Sequence, residues 1–421
     1  MLAFQRCAST RSCVLVSVLL SGAVGAADTA VLTLPEVQSL ALTGQPALLA
    51  EAANVRAFRE QSVAAGQLPD PQLLGGITQL PVNGGEAGSL RDDDFTALSV
   101  GVSQEFPRAA KRALRAAALE QQATGAQLAT TELEQRVRLE AGRAYLDIVA
   151  AVHGAELLER LSTEAVRQRE VSGIDFVAGR GAQPEVLAAV VEVALVADRS
   201  RALRQREQAS RAGLARWIGV AADRPVESVL PVLPAPPALG QLLDGLPGHP
   251  ALAVPATTAA LAATELRLAT AERKPDWRME VRYDHRLEFP DLVTLMVGVD
   301  LPLFAGNRQD RSSAAALERL SAATAQRDDR LREATATVTA AYRDWQAGTQ
   351  RLRYYDDALL PPGAGRVEAA LAAYRAGRGA LSELLEARRS LLETELMRVD
   401  LATQVARDRL QLQYFEVETA R

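Results

Sequence analysis

Two carboxylates, Glu383 and Glu386, stand three residues apart just after the string Gly377-Arg378-Gly379-Ala380, a spacing that puts both on one face of a helix. Such a pair attracts cations and repels anions. It is also what the first turn of a helix favours at the positive end of its dipole. An earlier string, Gly179-Arg180-Gly181-Ala182, is followed by Glu185 in the place of Glu383, but Ala188 stands where Glu386 would. The glycines suit a chain reversal. The repeated arginines add charge that a reversal does not need, so Gly179, Arg180, Gly181, Gly377, Arg378 and Gly379 are candidate contacts for a partner. His153, His249 and His285 are scattered, and both cysteines, Cys7 and Cys13, lie near the N-terminus. Fixed transition-metal sites cluster imidazole or thiolate ligands, so no metal site and no cofactor are expected. No Ser-His-Asp order or phosphate-cradling glycine loop stands out, which argues against an enzyme.

The two Gly-Arg-Gly-Ala strings are 198 positions apart (377 − 179), and two further landmarks keep nearly the same spacing. Val100-Gly101-Val102 returns as Val297-Gly298-Val299, and Ala144-Tyr145 as Ala341-Tyr342, each 197 positions on (297 − 100 and 341 − 144). The chain of 421 residues is therefore a tandem duplication of a unit far longer than a solenoid module. Residues 1–26 read as an export signal, with Arg6 and Arg11 ahead of the apolar run Val14 to Leu20 and small residues at Ala23-Val24-Gly25-Ala26. Residues 27–222 form the first copy, 223–248 a proline-rich linker, and 249–421 the second copy. Aromatic residues make up only 4% and the 48% hydrophobic fraction leans on alanine, a mixture suited to long helices packed through small side chains. A net charge of −5 with arginine and glutamate interleaved leaves no basic surface for nucleic acid. Beyond the signal no apolar stretch approaches the ~20 residues of a spanning helix.

Each copy opens with a helical stretch, Leu34 to Ala65 and Pro250 to Glu272, that ends at a Pro-Asp pair. Alternation of period two follows. Arg278, Glu280 and Arg282 share one face while Met279, Val281 and Tyr283 share the other; Gln72 to Leu80 is the weaker counterpart. Across polar connections, Asn83 to Asp94 and Asp284 to Asp291, a second strand is expected in each copy. Its apolar face is Leu98, Val100 and Val102 in the first copy and Val293, Leu295, Val297 and Val299 in the second, so register is duplicated too. These strands have the length of transmembrane β-strands, and Phe95, Phe106, Trp277, Phe289 and Phe304 lie near their ends as an interfacial girdle would. A soluble hairpin packed on a helix gives the same alternation. Long helices come next, with small-residue seams at Leu133, Val137, Ala141, Ala144 and Ile148 and at Leu331, Ala334, Val338, Ala341 and Trp345. The first, from Arg112 to about Leu161, would be ~75 Å long. Each long segment then turns back at its Gly-Arg-Gly string to form a helical hairpin.

An export signal followed by two copies of helix, strand pair, long helix and glycine-turn hairpin resembles the TolC-type outer-membrane efflux protein family. The residues that carry the resemblance are Gln104-Glu105-Phe106-Pro107 with Lys111-Arg112, Gly298-Val299-Asp300-Leu301-Pro302-Leu303-Phe304 with Asn307, and Tyr374 through Gly377 with Leu385 through Arg388. The strings after both strand pairs look closest to the subgroup resembling CzcC, which serves heavy-metal efflux pumps. The resemblance implies a mainly α fold with a transmembrane β part. Three chains would each give four strands to one twelve-stranded outer-membrane barrel, and their antiparallel helices would form a tunnel through the periplasm. Partners would be two further copies, outer-membrane lipid, a periplasmic adaptor (membrane fusion protein) and an inner-membrane RND pump. In the family, acidic residues at the positions of Glu383 and Glu386 narrow the periplasmic mouth, so Glu383, Glu386 and the matching Glu185 are the gate candidates; with Ala188 in the place of Glu386, the second hairpin would carry the gate while the first helps hold the adaptor. A periplasmic coiled-coil adaptor or scaffold without a barrel is the alternative reading. It leaves the duplicated strand register unexplained.

Overall fold

A computed structural model of the chain describes residues 30–416; the expected export segment 1–26, with both cysteines, lies outside them. The first helices of the described residues are α1 (Leu34–Leu40) and α2 (Pro46–Gly66), two where one stretch was expected. Gly44 takes φ 69°, and Gln45, held extended by the proline that follows it, cannot continue a helix across the gap. Strands β1 (Gln72–Thr78) and β2 (Ala97–Phe106) come next, and then α3 (Ala109–Val177) runs unbroken for 69 residues, roughly 100 Å at 1.5 Å per residue. It continues to the glycine turn without the earlier end that its sequence suggested. The return is α4 (Gln183–Ile218), with Pro184 in its first turn where the missing N–H costs nothing.

The connecting segment is more than a spacer. After a prolonged irregular stretch it forms α5 (Leu239–Gly245) and a short 3₁₀ turn, burying Leu242 and Leu246, while Leu230 and Leu233 pack on the core near α1. The second copy then gives α6 (Pro250–Ala271), β3 (Trp277–His285), β4 (Leu292–Val299) and α7 (Gln309–Tyr354). A π-helical turn, Tyr355–Leu359, leads into α8 (Leu360–Arg375), and α9 (Leu381–Tyr414) returns from the second hairpin. Pro361 and Pro362 supply no backbone donors, and the wider turn ahead of them absorbs the break. The matching positions of α3 are Thr163 and Glu164, so the first copy stays straight where the second is interrupted.

The four strands make one antiparallel sheet in the order β1-β2-β3-β4, with Val100 opposite Tyr283 and Val281 opposite Leu295. β3 extends through Asp284 and His285, which sequence reading had placed in the connection. Helices continue the sheet as a wall. Next to the strands the order is α2, α3, α6, α7; farther away it is α4, α3, α9 and then α7 or α8. The largest buried clusters lie where α9 ends and α6 begins, around Val137, Leu146, Ile148 and Leu410 on one side and Val338, Leu246 and Leu412 on the other. Both expected seams contribute: Val137, Ala141, Ile148, Ala334, Val338 and Ala341 are buried.

Sheet and helices are joined by charge. Lys111, at the start of α3, is buried and binds Asp276 at 2.8 Å and Glu272 at 3.0 Å, both at the α6–β3 corner of the other copy. The Arg108 amide donates to Asp276 at 2.9 Å, and the Arg112 guanidinium donates to the Gly66 carbonyl at 3.0 Å. Burial disfavours charge on Asp276, yet the hydrogen bonds from Lys111 and the Arg108 amide outweigh it and hold the carboxyl below its ordinary range. A depressed acid stabilises the fold above its unfolded-state value of 3.8, and that contribution disappears as pH falls through the folded-state value. Lys111→Met is expected to cost about 2 kcal/mol, because Asp276 loses its charged partner at a partly buried corner while Glu272 keeps Arg115 at 3.0 Å. The measurement is chemical unfolding as a function of pH: the variant should be less stable at neutral pH and lose less further stability below about pH 4 than the parent chain.

Candidate functional site

Both hairpin tips use the same hydrogen bonds. The amides of Arg180 and Gly181 donate to the Asp175 carbonyl at 2.8 and 3.0 Å, and those of Arg378 and Gly379 donate to the Ala373 carbonyl at 2.9 and 3.1 Å. This closes each helix with a left-handed glycine, Gly179 at φ 73° and Gly377 at φ 68°. Gly379 is needed for a different reason: a Cβ there would stand 3.0 Å from the Ala373 Cβ. The side chains diverge where the backbones agree. Arg180 pairs with Asp175 at 2.9 Å, whereas the equivalent of Asp175 is Ala373 and no ion pair holds Arg378 among the described residues.

The acidic residues at the tips separate into different roles. Glu185 turns its carboxylate back to accept from the Ala182 amide at 3.3 Å, the capping use that a first helical turn favours. Glu383 and Glu386 share the exposed face of α9, opposite Leu381, Leu384, Leu385 and Ala387, which are buried with Val367, Ala370, Leu371 and Tyr374 or against neighbouring helices. Glu386 contacts Arg389 one turn on, while no hydrogen bond or ion pair reaches the Glu383 carboxylate among the described residues. Glu192 of α4 was not singled out from the sequence. Half-burial raises its carboxyl above the ordinary range, opposed by Arg389 and Arg199 and reinforced by Glu386 and Glu393. Across the two hairpins, Arg199–Glu393 at 3.0 Å and Arg388–Glu164 at 3.3 Å accompany an apolar seam in which Ala189 packs with Leu381, Leu384 and Leu385, and Leu158 and Val196 with Leu392. The Glu386–Arg389 spacing was a visible signal for an i,i+3 pair; the cross-helix partners were not.

At the other end of the molecule the sheet has two contrasting faces. Leu98, Val100, Val102, Met279, Val281, Tyr283, Val293, Leu295, Val297 and Val299 all lie on one face, and all are exposed, Val293 at 72% and Leu295 at 65%. The opposite face is polar. Thr78 bonds Ser99 at 2.9 Å, Ser99 bonds Asp284, and Asp284 takes bonds from Thr294 and Arg282 at 3.0 Å each, a row that crosses all four strands. Phe106 and Trp277 pair at the helical end of the sheet, with Phe304 nearby in sequence, and Phe95 and Phe289 stand at the far end. The outer edges of β1 and β4 pair with nothing among the described residues. No helix of the described residues is long and apolar enough to cross a membrane.

The histidines are placed apart. His249 is fully buried, donating from Nε2 to the Tyr414 carbonyl at 2.7 Å and accepting at Nδ1 from the Ala251 amide at 3.2 Å; burial lowers its pKa, consistent with the neutral ring these bonds require. His153 bonds the Ser228 carbonyl and His285 the Asp291 carboxylate. No group of three potential metal-ligating side chains occurs among the described residues.

Residues 290–414 match the family model for outer membrane efflux proteins. The match takes in β4, α7 and the second hairpin, including Glu383 and Glu386. No curated protein matches the chain by sequence at a meaningful level. Among solved structures, the outer membrane protein VceC from Vibrio cholerae is 19% identical with a TM-score of 0.74, covering 91% of this chain and 95% of that one. The CmeC outer membrane channel of Campylobacter jejuni is 13% identical with a TM-score of 0.78, covering 91% and 85%. A membrane protein from Pseudomonas aeruginosa is 17% identical with a TM-score of 0.78, covering 91% and 93%. The fold is therefore that of the outer-membrane channels, long helices with four strands per chain, as the sequence led us to expect. At the tips, Gly377→Ala is expected to cost about 1 kcal/mol, since an L side chain is strained at φ 68°. Faster amide hydrogen exchange confined to the second hairpin would register it.

Proposed function

We propose that this protein is the outer-membrane channel of a tripartite efflux system, a passive duct that carries substrate from the periplasm or an inner-membrane pump to the exterior. The observation that carries this reading is the sheet: ten exposed apolar side chains on one face, a hydrogen-bonded polar row on the other, and two free edges. In lipid every backbone polar group needs a partner within protein, and four strands satisfy that only when copies join edge to edge into a closed barrel. Three copies, twelve strands in all, would place the apolar face in lipid and the Asp284 row toward the lumen. The ~100 Å of α3 would then cross the periplasm and bring the hairpin tips to an adaptor and RND pump.

Glu383 and Glu386 are the residues to which we assign the mouth. Brought together by the copies, they would form a ring of like charge favouring cations. Glu185, committed to capping, contributes less. The exposed tips Gly179-Arg180-Gly181 and Gly377-Arg378-Gly379 are the proposed adaptor contacts, with Arg378 the more available of the two cations. A heavy-metal cation is the cargo class that the CzcC-like strings and the acidic mouth suggest, carried without a fixed ligand set and without chemical change. A coiled-coil scaffold or adaptor that never meets lipid has no use for the apolar sheet face.

Cell fractionation followed by electrophoresis without boiling tests the reading. The chain should be recovered from the outer membrane as a detergent-resistant trimer, and a soluble periplasmic monomer would sink the proposal. In planar bilayers, Glu383→Ala with Glu386→Ala should raise single-channel conductance and reduce the preference for cations. Glu383→Ala alone should account for most of the selectivity change, because Glu386 already has Arg389 as a counter-charge.

A further inference from the structure

The two copies differ where their second strands meet the helices. β2 runs on through Gln104, Glu105 and Phe106, all three paired to β3. The positions 197 residues later (301 − 104) are Leu301, Pro302 and Leu303, and β4 has already ended at Val299. Pro302 cannot donate to a ladder, and the chain beyond β4 carries Leu301, Leu303 and Phe304 into the open, 65%, 78% and 79% accessible. Trp277, opposite Val299, is half exposed on the same sheet face as Met279 and Val281. The charges of this corner do not balance. The carboxylates of the two segments that meet here, 272–278 and 300–311, are all engaged: Glu272 by Lys111 and Arg115, Asp276 by Lys111, Asp310 by Arg273 at 2.6 Å and Asp300 by Arg278 at 3.9 Å. Lys274, Arg308 and Arg311 are exposed, and no ion pair holds them among the described residues. The Arg273–Asp310 pair brings them together, since Lys274 follows that arginine and Arg308 and Arg311 lie on either side of that aspartate.

We propose that this corner binds an anionic phospholipid, with Lys274, Arg308 and Arg311 around its phosphate and Trp277, Leu301, Leu303 and Phe304 among its acyl chains. This rests on the channel reading above, in which the sheet end nearest the helices meets the periplasmic leaflet, and adds a headgroup preference to it. Charge selects the occupant. Apolar side chains alone would accept any lipid, but three cations without an internal counter-charge favour a headgroup that brings net negative charge. A zwitterionic headgroup sets its own ammonium against them; phosphatidylglycerol does not. Lys274 suits the task, because its apolar stem can lie along the exposed hydrophobic rim while the ammonium reaches the phosphate. It is one of only two lysines in the chain, and the other, Lys111, is buried in the same corner. In the first copy the equivalent strand end stays in the sheet, and the guanidinium groups of Arg108 and Arg112 are held by the Pro275 and Gly66 carbonyls. One such lipid site per chain is therefore expected.

Brominated lipids quench tryptophan on contact, and Trp277 stands in the proposed site, whereas Trp217 and Trp345 pack on the clusters where α9 meets α6. In the full oligomer reconstituted in phosphatidylcholine, dibromo-phosphatidylglycerol is expected to quench at about threefold lower mole fraction than dibromo-phosphatidylcholine. Trp277→Phe should remove most of that quenching. Lys274→Gln, Arg308→Gln and Arg311→Gln together should bring the two lipids level while quenching by both persists. Equal quenching by the two lipids in the parent oligomer would overturn the proposal and leave the channel reading standing. So would a preference that survives the triple substitution, since other charges would then set it. A Trp277 that neither brominated lipid quenches would place this face of the sheet away from acyl chains, and would remove the channel reading and the lipid site together.

Discussion

Everything else in this molecule depends on a sheet whose two outer edges find no partner among the described residues. Four antiparallel strands satisfy each other inward, but the outer edges of β1 and β4 present unpaired amides and carbonyls beside an exposed apolar face. Water could satisfy those edges but would oppose the apolar face; lipid accepts the face but not the edges. In the channel we propose, closure among copies resolves both demands. The polar row from Thr78 to Thr294 fits the same logic, because it binds Asp284 on the side that closure would turn inward, where a charge can remain hydrated or paired.

The sheet fixes one end of the molecule, and the Lys111 cluster transmits that geometry to the helices. Lys111 and Arg108 from one copy grip Glu272, Pro275 and Asp276 from the other, so the two halves cannot pivot independently where strands become helices. Below this joint α3 is continuous over 69 residues and acts as the rigid member. The corresponding element of the second copy is interrupted by a π-turn and two prolines, held near α9 by Asp356 and Arg398 at 2.5 Å. Stiffness and compliance are thus divided between copies of one design.

Much of this was legible in the sequence because it depends on local period. Alternation identified the strands and their faces, the spacing of Ala and Val identified the long helices, and Gly-Arg-Gly identified the hairpins. What stayed hidden depended on partners distant along the chain. Asp284 looked like a loop residue because nothing local explains a carboxylate in a strand; Ser99 and Thr294 on the flanking strands do. Glu192 looked like one more helical surface charge until α9 brought Arg389 beside it. Glu185 matched Glu383 in position, yet the two differ in use, since only Glu185 folds back on its own helix end. The segment 223–248 read simply as a proline-rich linker because its prolines conceal Leu242 and Leu246, which complete a core formed by α7 and the end of α9.

The duplication explains why these differences have functional weight. Two identical copies would give every helix of the wall the same neighbours, and every seam would open or hold with equal ease. Divergence at a few positions breaks that equivalence while the turns keep the same backbone: Asp175 against Ala373, Ala188 against Glu386, Val191 against Arg389. The first hairpin exposes an apolar stripe on α4, and α3 runs unbroken along it. The second gains charge along α9 and a break above α8, and its ion pairs with the first hairpin lose little when they separate and hydrate. Apolar surface pulled into water has no such compensation, at roughly 25 cal/mol per Å² exposed. The apolar contacts of Ala189, Leu158 and Val196 with α9, and not the ion pairs beside them, therefore set most of the cost of parting the two hairpins.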